Sequence, residues 1–206
     1  MASKEHWEQV YTNKLSNEVS WFQEHAAVSL RLIRDAGTPL SASIIDIGGG
    51  ASTLVDDLLQ EGFSDITVLD LSGKALASAK SRLGIKAAQV HWREANVLNA
   101  CLPYHTYDVW HDRAVFHFLT TRQEREAYVQ AVLHAVKPGG FVVVATFAED
   151  GPTKCSGLPV MRYDEAGLHE QFGQAFDLLG SERETHHTPA GNAQEFVYCF
   201  FRKRDL

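Results

Sequence analysis

The stretch from Ser43 to Asp70, SIIDIGGGASTLVDDLLQEGFSDITVLD, constrains the fold more than any other. The apolar run SIIDI stops at the glycine turn GGGAS, and STLVDDLLQEG then reads as a helix with Leu54, Val55, Leu58 and Leu59 inward and Gly62 closing it. ITVLD follows as a second buried strand. Strands and helices alternating through tight turns are the pattern of a parallel sheet covered on both faces. The alternation continues. SGKALASAKSRLG reads as a helix, AAQVHW and YDVWH as strands three and four, TRQEREAYVQAVLHAV as a long amphipathic helix ending at KPGG, and FVVVATF as strand five.

Both ends of the chain depart from this pattern. Upstream, a short helix over about residues 4–13 carries Trp7 and Tyr11 one turn apart. SWFQEHAAVSLRLIRDAG then places Phe22, Ala26, Ser29, Ile33 and Ala36 near one helical face before Gly37 and Pro39 stop it. These helices precede the first strand and are expected to pack over the ligand edge of the sheet. Downstream, after a loop at 148–163 and a short helix near 164–172, AFDLLGSERET and EFVYCFFRK read as strands joined only by HHTPAGNAQ. A connection that short permits an antiparallel pair and forbids a helical crossover. The expected fold is α/β: a doubly wound, seven-stranded, mostly parallel sheet with an antiparallel C-terminal hairpin and extra N-terminal helices. The 206 residues are most simply one domain, with 1–40 as a helical extension or lid and 41–206 as the core.

A net charge of -7 argues against nucleic acid as the main partner, because phosphate binding needs clustered Lys and Arg. Cys101, Cys155 and Cys199 form no CxxC, which fits a reducing, cytoplasmic setting better than disulfides or a Cys-rich zinc site. The N-terminal MASKEHWEQVY lacks the apolar core of a signal peptide, and no run approaches a membrane span.

In a doubly wound sheet the ligand lies beyond the carboxyl ends of the strands, where strand order reverses. Gly48 and Gly50 let backbone N–H groups approach a ligand, Ser52 can cap the next helix, and Asp70 stands where a carboxylate accepts ribose hydroxyls. A nicotinamide or flavin fingerprint would place a third glycine at position 53, which is Thr53, and no GK[ST] follows for a phosphate loop.

From about residue 40 onward the chain resembles the class I, Rossmann-like, S-adenosylmethionine-dependent methyltransferases. IIDIGGGAS, VLDLS, REANV, YDVWHDRA and VKPGGFVVVATF carry the resemblance, in that order. It implies S-adenosylmethionine as cofactor and S-adenosylhomocysteine as product. It also implies that Asp46 and the Gly48–Gly50 backbone hold the amino-acid part, that Asp70 binds the ribose and that Leu71 packs on the adenine. Asn96, beside Val97, stands where the family usually has an acid facing the adenine; an amide oxygen can also accept. Trp110 and His111 would offer backbone carbonyls, and Trp7, Tyr11 and Trp21 resemble the aromatic lid of some members.

The segment after strand four, HDRAVFHF, faces the reacting centre in such a fold. It lacks the prolines of the [DNS]PP[YFW] clamp of nucleic-acid amino methyltransferases. Asp112 stands alone and His111 and His117 are six residues apart, so no metal is expected. Asp-Arg-Ala resembles a segment of thiopurine-type S-methyltransferases, which implies a small thiol or related chalcogen acceptor. Arg113 would then steady a thiolate or a substrate carboxylate, and His117 would take a proton. The N-terminal WEQVY…SWF instead resembles protein lysine methyltransferases, with Asp112, Phe116 and Tyr163 as an ammonium trap, although Phe-His stands where their second acid would be. The loop AEDGPTKCSGLPVMRY is expected to close the acceptor pocket through Arg162 or Tyr163. A non-catalytic cofactor-binding partner subunit is a third possibility. The small-molecule enzyme ranks first.

Overall fold

The computed structural model describes residues 3–205; Met1, Ala2 and Leu206, the ends of the expected 1–206 span, lie outside the described residues. The seven main strands are β1 (Ser43–Ile47), β2 (Asp65–Asp70), β3 (Val90–Glu94), β4 (Tyr107–Arg113), β5 (Val136–Phe147), β8 (Phe176–His187) and β9 (Ala193–Lys203). They form one sheet in the order β3-β2-β1-β4-β5-β9-β8. Two short strands, β6 (Lys154–Cys155) and β7 (Leu158–Pro159), make a separate hairpin. β1 to β5 run parallel, and β9 is antiparallel to both β5 and β8.

Strand order reverses between β1 and β4. Asp46 pairs with His111 and Ile47 with Asp112, so the turn after β1 and the segment after β4 leave the sheet side by side. Asp46, Ile44, Ile45 and Ile47 are all buried, as a central strand covered on both faces requires. On one face Ile45, Ile47, Trp110 and Val144 pack against Tyr128 and Val132 of α5 (Arg122–Ala135) and Leu168 of α6 (Glu165–Phe172). On the other, Ile44, Val68 and Val109 pack against Leu54 and Leu58 of α3 (Leu54–Glu61) and Leu76 of α4 (Gly73–Leu83).

The N-terminal extension divides into two parts with different roles. α1 (Lys4–Asn13) lies over the ligand edge, as expected. α2 (Ala27–Asp35) instead belongs to the sheet-covering layer: its Ile33 is fully buried among Ile44, Leu54 and Val109. Residues 14–26 form turns and bends, not the first turns of a long helix. Tertiary hydrogen bonds take the backbone groups a helix would use. The Ser20, Trp21 and Gln23 carbonyls accept from His186, Arg113 and Thr53, while the Ala26 N–H donates to Asp57. These residues act as a strap.

Three further boundaries differ from expectation. Residues 84–89 form a 3-10 turn, which delays β3 to Val90. β5 begins at Val136 and runs through KPGG, with Val136 paired to Tyr107 across a register shift. β8 extends to His187, which places buried His186 and exposed His187 on opposite faces. Because Phe147, at the ligand end of β5, pairs with Phe196, the turn joining β8 to β9 also lies at the ligand edge. Ile33→Ala is expected to cost about 2–5 kcal/mol of stability. Urea unfolding would measure this, and a loss well below about 1 kcal/mol would show that α2 is not part of the core.

Candidate functional site

Two clefts meet at the switch point. The first holds about 680 Å³ of non-atom space, part of it open to solvent, and its walls include Leu71, Asp70 and Val97 at one end and Trp7, Phe118, Val115 and Cys155 at the other. The second, about 550 Å³, runs between the glycine turn, the strap and α2, along Asp46, Gly49, Ser52, Ser29 and His111. Tyr11, Trp21, Ile47, Gly48 and Arg113 line both. Each volume lies within the roughly 300–1,000 Å³ usual for small-molecule sites.

The two clefts meet at Gly48 of the glycine turn, which lines both. Gly48 has φ +69°, and a Cβ there would run into Val115. A Cβ at Gly50 would meet the Asp70 carboxylate, to which the Gly50 N–H donates at 3.0 Å. Asp70 also accepts from the Ser72 N–H at 2.8 Å, and Ser72 caps α4. Burial pushes the Asp70 carboxyl up to about 6. Ser52 supports the next helix by accepting from the Leu54 N–H at 3.2 Å. Thr53, where a dinucleotide fingerprint would have glycine, ties its hydroxyl to the Gln23 carbonyl of the strap at 3.0 Å.

Asp46 Oδ1 lies 2.7 Å from His111 Nδ1, and His111 Nε2 lies 2.8 Å from Ser29 Oγ. All three residues are buried, and Asp46 Oδ2 has no hydrogen-bond partner. An orphaned carboxylate oxygen in a cleft fits the ammonium group of an amino acid.

Aromatic rings roof the first cleft. Trp7 of α1 stands edge-on to Trp21 of the strap at 5.7 Å and to Phe118 at 5.2 Å. Tyr11 packs on Trp21 at 6.3 Å, and burial, with the nearby Asp70 charge, raises its hydroxyl pKa. His6 of α1 hydrogen-bonds Ser156, at the tip of the β6–β7 hairpin, at 3.1 Å. That hairpin places Cys155 in the cleft wall, where burial pushes its thiol up to about 12.

A methyltransferase domain family matches residues 44–140. The chain is a class I S-adenosylmethionine-dependent methyltransferase. EEF1A lysine methyltransferase 2 of Mus musculus is 24% identical over 194 residues, spanning 87% of this chain and 73% of its own length. A structure solved in work on the conversion of a disulfide bond into a thioacetal group during echinomycin biosynthesis superposes with a TM-score of 0.80 at 16% identity, covering 98% of this chain and 92% of the other. The 1,6-didemethyltoxoflavin-N1-methyltransferase of Burkholderia thailandensis gives 0.70 at 19% identity, covering 98% and 84%. These structural likenesses establish the fold alone.

In this methyltransferase Arg113 is the one residue of the expected acceptor set that reaches the clefts. Its guanidinium donates to the Tyr198 hydroxyl at 2.8 Å, the Trp21 carbonyl at 3.2 Å and Glu184 at 3.5 Å, and lies over the Phe196 ring at 4.2 Å. It therefore holds the strap to the β8–β9 hairpin. The other candidates sit elsewhere. The Asp112 carboxylate faces the core, where it accepts from the Val115 and Phe116 N–H groups and from the Tyr128 hydroxyl at 2.5 Å. Phe116 is buried against Tyr128, Tyr163 and Phe172, so neither Phe116 nor Tyr163 lines the cleft. His117 is enclosed beside Phe147, and burial lowers its pKa to about 3, so it stays neutral at physiological pH and has no cleft-facing proton to exchange. Arg162 pins its loop by donating to the Gly151 carbonyl at 3.1 Å, and Cys155 takes the wall position expected of Arg162 or Tyr163. Asn96 turns its amide oxygen to the Leu98 N–H at 3.0 Å, while Ala95 and Val97 line the cleft. His111, expected to offer only a backbone carbonyl, lines the second cleft and engages Asp46 through its ring.

Among the described residues no cluster of three or more His, Cys, Asp or Glu is arranged to hold a metal, and no helix is long and apolar enough to cross a membrane. Glu184 and Tyr198 escaped sequence reasoning because their approach to Arg113 depends on the β8–β9 register, which no local pattern encodes. Arg113→Lys cannot reach three partners from one ammonium. It is expected to release the strap, seen as faster chymotrypsin cleavage at Trp21–Phe22; an unchanged cleavage rate would show that the strap is held by other contacts.

Proposed function

We propose that the enzyme methylates a small thiol or related chalcogen nucleophile at the aromatic end of the first cleft. The observation that carries this reading is the state of the ionisable groups around that end. Cys155 and His117 are held neutral, Asp112 is committed to three donors in the core, and Arg113 is tied to Glu184, Tyr198 and Trp21. An acceptor placed there gains an apolar enclosure and brings its own ionisation. A thiol with pKa about 8.5 is partly ionised near pH 7, whereas a lysine amine near 10.4 requires more help to lose its proton.

On this reading Leu71 and Val97 would hold the adenine and Asp70 would accept from the ribose hydroxyls. The amino-acid part enters the second cleft beside Asp46 and the backbone of Gly48 and Gly49. The cofactor supplies a methyl carbon already activated by positive sulfur. Trp7, Tyr11, Trp21 and Phe118 line the cleft and would exclude water from it. An acceptor thiol held at the aromatic end would lose its proton to solvent and displace the methyl group from the sulfonium, whose sulfur would keep the bonding pair. The chain's part is alignment.

A second reading is protein lysine methylation, favoured by the likeness to EEF1A lysine methyltransferase 2. The same rings suit a methylammonium, but a protein chain must first open the contact between His6 and Ser156. Radiolabelled S-adenosylmethionine offered to a panel of small thiols and, separately, to elongation factor 1A separates the two. Labelled thioether with little labelled protein supports the proposal; a labelled protein band without small product overturns it. With thiols of different acidity, the rise of kcat/KM with pH is expected to follow each acceptor's own pKa. One common profile for all of them would point to a base on the enzyme.

Asp70→Ala is expected to weaken S-adenosylhomocysteine binding by about 1–3 kcal/mol, measured by calorimetry. Ribose hydroxyls are best received by the ionised carboxylate, and the free protein holds that carboxyl near 6. Wild-type affinity should therefore be full above pH 6 and fall as pH drops through it, and Asp70→Asn should lose this step. An affinity unchanged in both variants would remove Asp70 from the cofactor site.

A further inference from the structure

We infer that His111 and Ser29 are positioning residues for the cofactor's ammonium group, acting through Asp46. The Asp46 carboxylate is 2% exposed, and its two oxygens are unequal: Oδ1 is bonded to His111 and Oδ2 is buried without a partner. A buried anionic oxygen left in that state is costly and calls for a donor from a ligand. The cleft beside it admits one, because Gly49, whose Cβ would run into this carboxylate, leaves the approach open. A cationic N–H donor matches both the charge and the free lone pair.

His111 and Ser29 fix which oxygen is free. The β1–β4 pairing sets His111 directly beside Asp46, and α2, packed on the same face of the sheet, brings Ser29 to the far ring nitrogen. With the Nδ1–H donating to Asp46, Nε2 accepts from the Ser29 hydroxyl, so each bond selects the tautomer the other needs. The ring is then held in one orientation, and the carboxylate cannot rotate Oδ2 away from the cleft. Ser, His and Asp in a line also occur in hydrolases, but there the reactive end is the serine. Here the unpartnered atom belongs to the carboxylate, so the arrangement orients and does not attack. Ser29 lies outside the matched domain at 44–140, which makes the N-terminal segment a part of the cofactor site and more than a cover. The inference holds for either acceptor.

The test compares S-adenosylhomocysteine with 5′-methylthioadenosine, which keeps the nucleoside and thioether sulfur but lacks the amino-acid group. Calorimetry would be run on wild type, His111→Leu, His111→Asn and Ser29→Ala. His111→Leu is expected to weaken S-adenosylhomocysteine about tenfold, the loss of one charge-assisted hydrogen bond, and to leave methylthioadenosine unchanged. Ser29→Ala should give a smaller loss of the same selective kind. His111→Asn, which keeps an N–H for Asp46, should recover part of the affinity. Equal weakening of both ligands in Ser29→Ala and His111→Leu would reduce the arrangement to a structural role, and unchanged S-adenosylhomocysteine affinity in both would remove it from the site. Wild-type protein that binds neither ligand would overturn the cofactor assignment and this inference with it.

Discussion

The ligand edge is organised by the lack of side chains at Gly48, Gly49 and Gly50. A Cβ at these positions would strike Val115, the Asp46 carboxylate and the Asp70 carboxylate in turn. Three different parts of the fold therefore close around one turn: the end of β1, the end of β2 and the segment after β4. Parallel pairing of β1 with both β2 and β4 delivers them to the same height. The two clefts, and the way they meet at Gly48, result from that convergence.

Buried charge is handled in two ways around the turn. Asp46, in the second cleft, keeps an oxygen without a partner and Asp70, in the first, is raised by burial, so both carboxylates gain from a ligand that donates to them. Around Cys155 and the segment after β4, Cys155 and His117 are neutral and Asp112 and Arg113 are already paired. Arg113 is the clearest case, since one guanidinium joins the end of β4, the strap and the β8–β9 hairpin. Its charge is spent on architecture. The end of the first cleft lined by Trp7, Val115, Phe118 and Cys155 is left largely apolar and aromatic.

The seven-stranded sheet was legible because its signals are local. Apolar runs of strand length, glycine stops and the short connection HHTPAGNAQ between the last two strands identify the parallel core and the terminal hairpin without reference to packing. That Asp46, Gly48, Asp70, Leu71 and Val97 line the clefts follows from the same local signals, since they stand at strand ends whose placement the βαβ pattern implies, whereas Gly50 lines neither cleft and gives its N–H to Asp70. The helix expected from Ser20 onward failed where tertiary bonds outcompeted helical ones: Arg113, His186, Thr53 and Asp57 occupy the backbone groups of the strap. Local periodicity cannot report a partner far away in the chain.

The succession of strands and helices along the chain, the glycine turn and the carboxylates at the ends of β1 and β2 were determined by the sequence alone, since each depends on spacing within a few turns of chain. The roles of the residues after β4 were decided only by tertiary structure. In HDRAVFHF the turn after the strand sends its polar groups to different destinations: His111 toward Asp46, Asp112 and His117 into the core, and Arg113 out to the strap. These polar side chains, crowded into one short segment, look alike as acceptor-binding candidates until their hydrogen-bond partners are known. Those partners come from Ser29, Tyr128, Phe147, Glu184 and Tyr198, brought together by sheet register and helix packing and not by proximity in the chain.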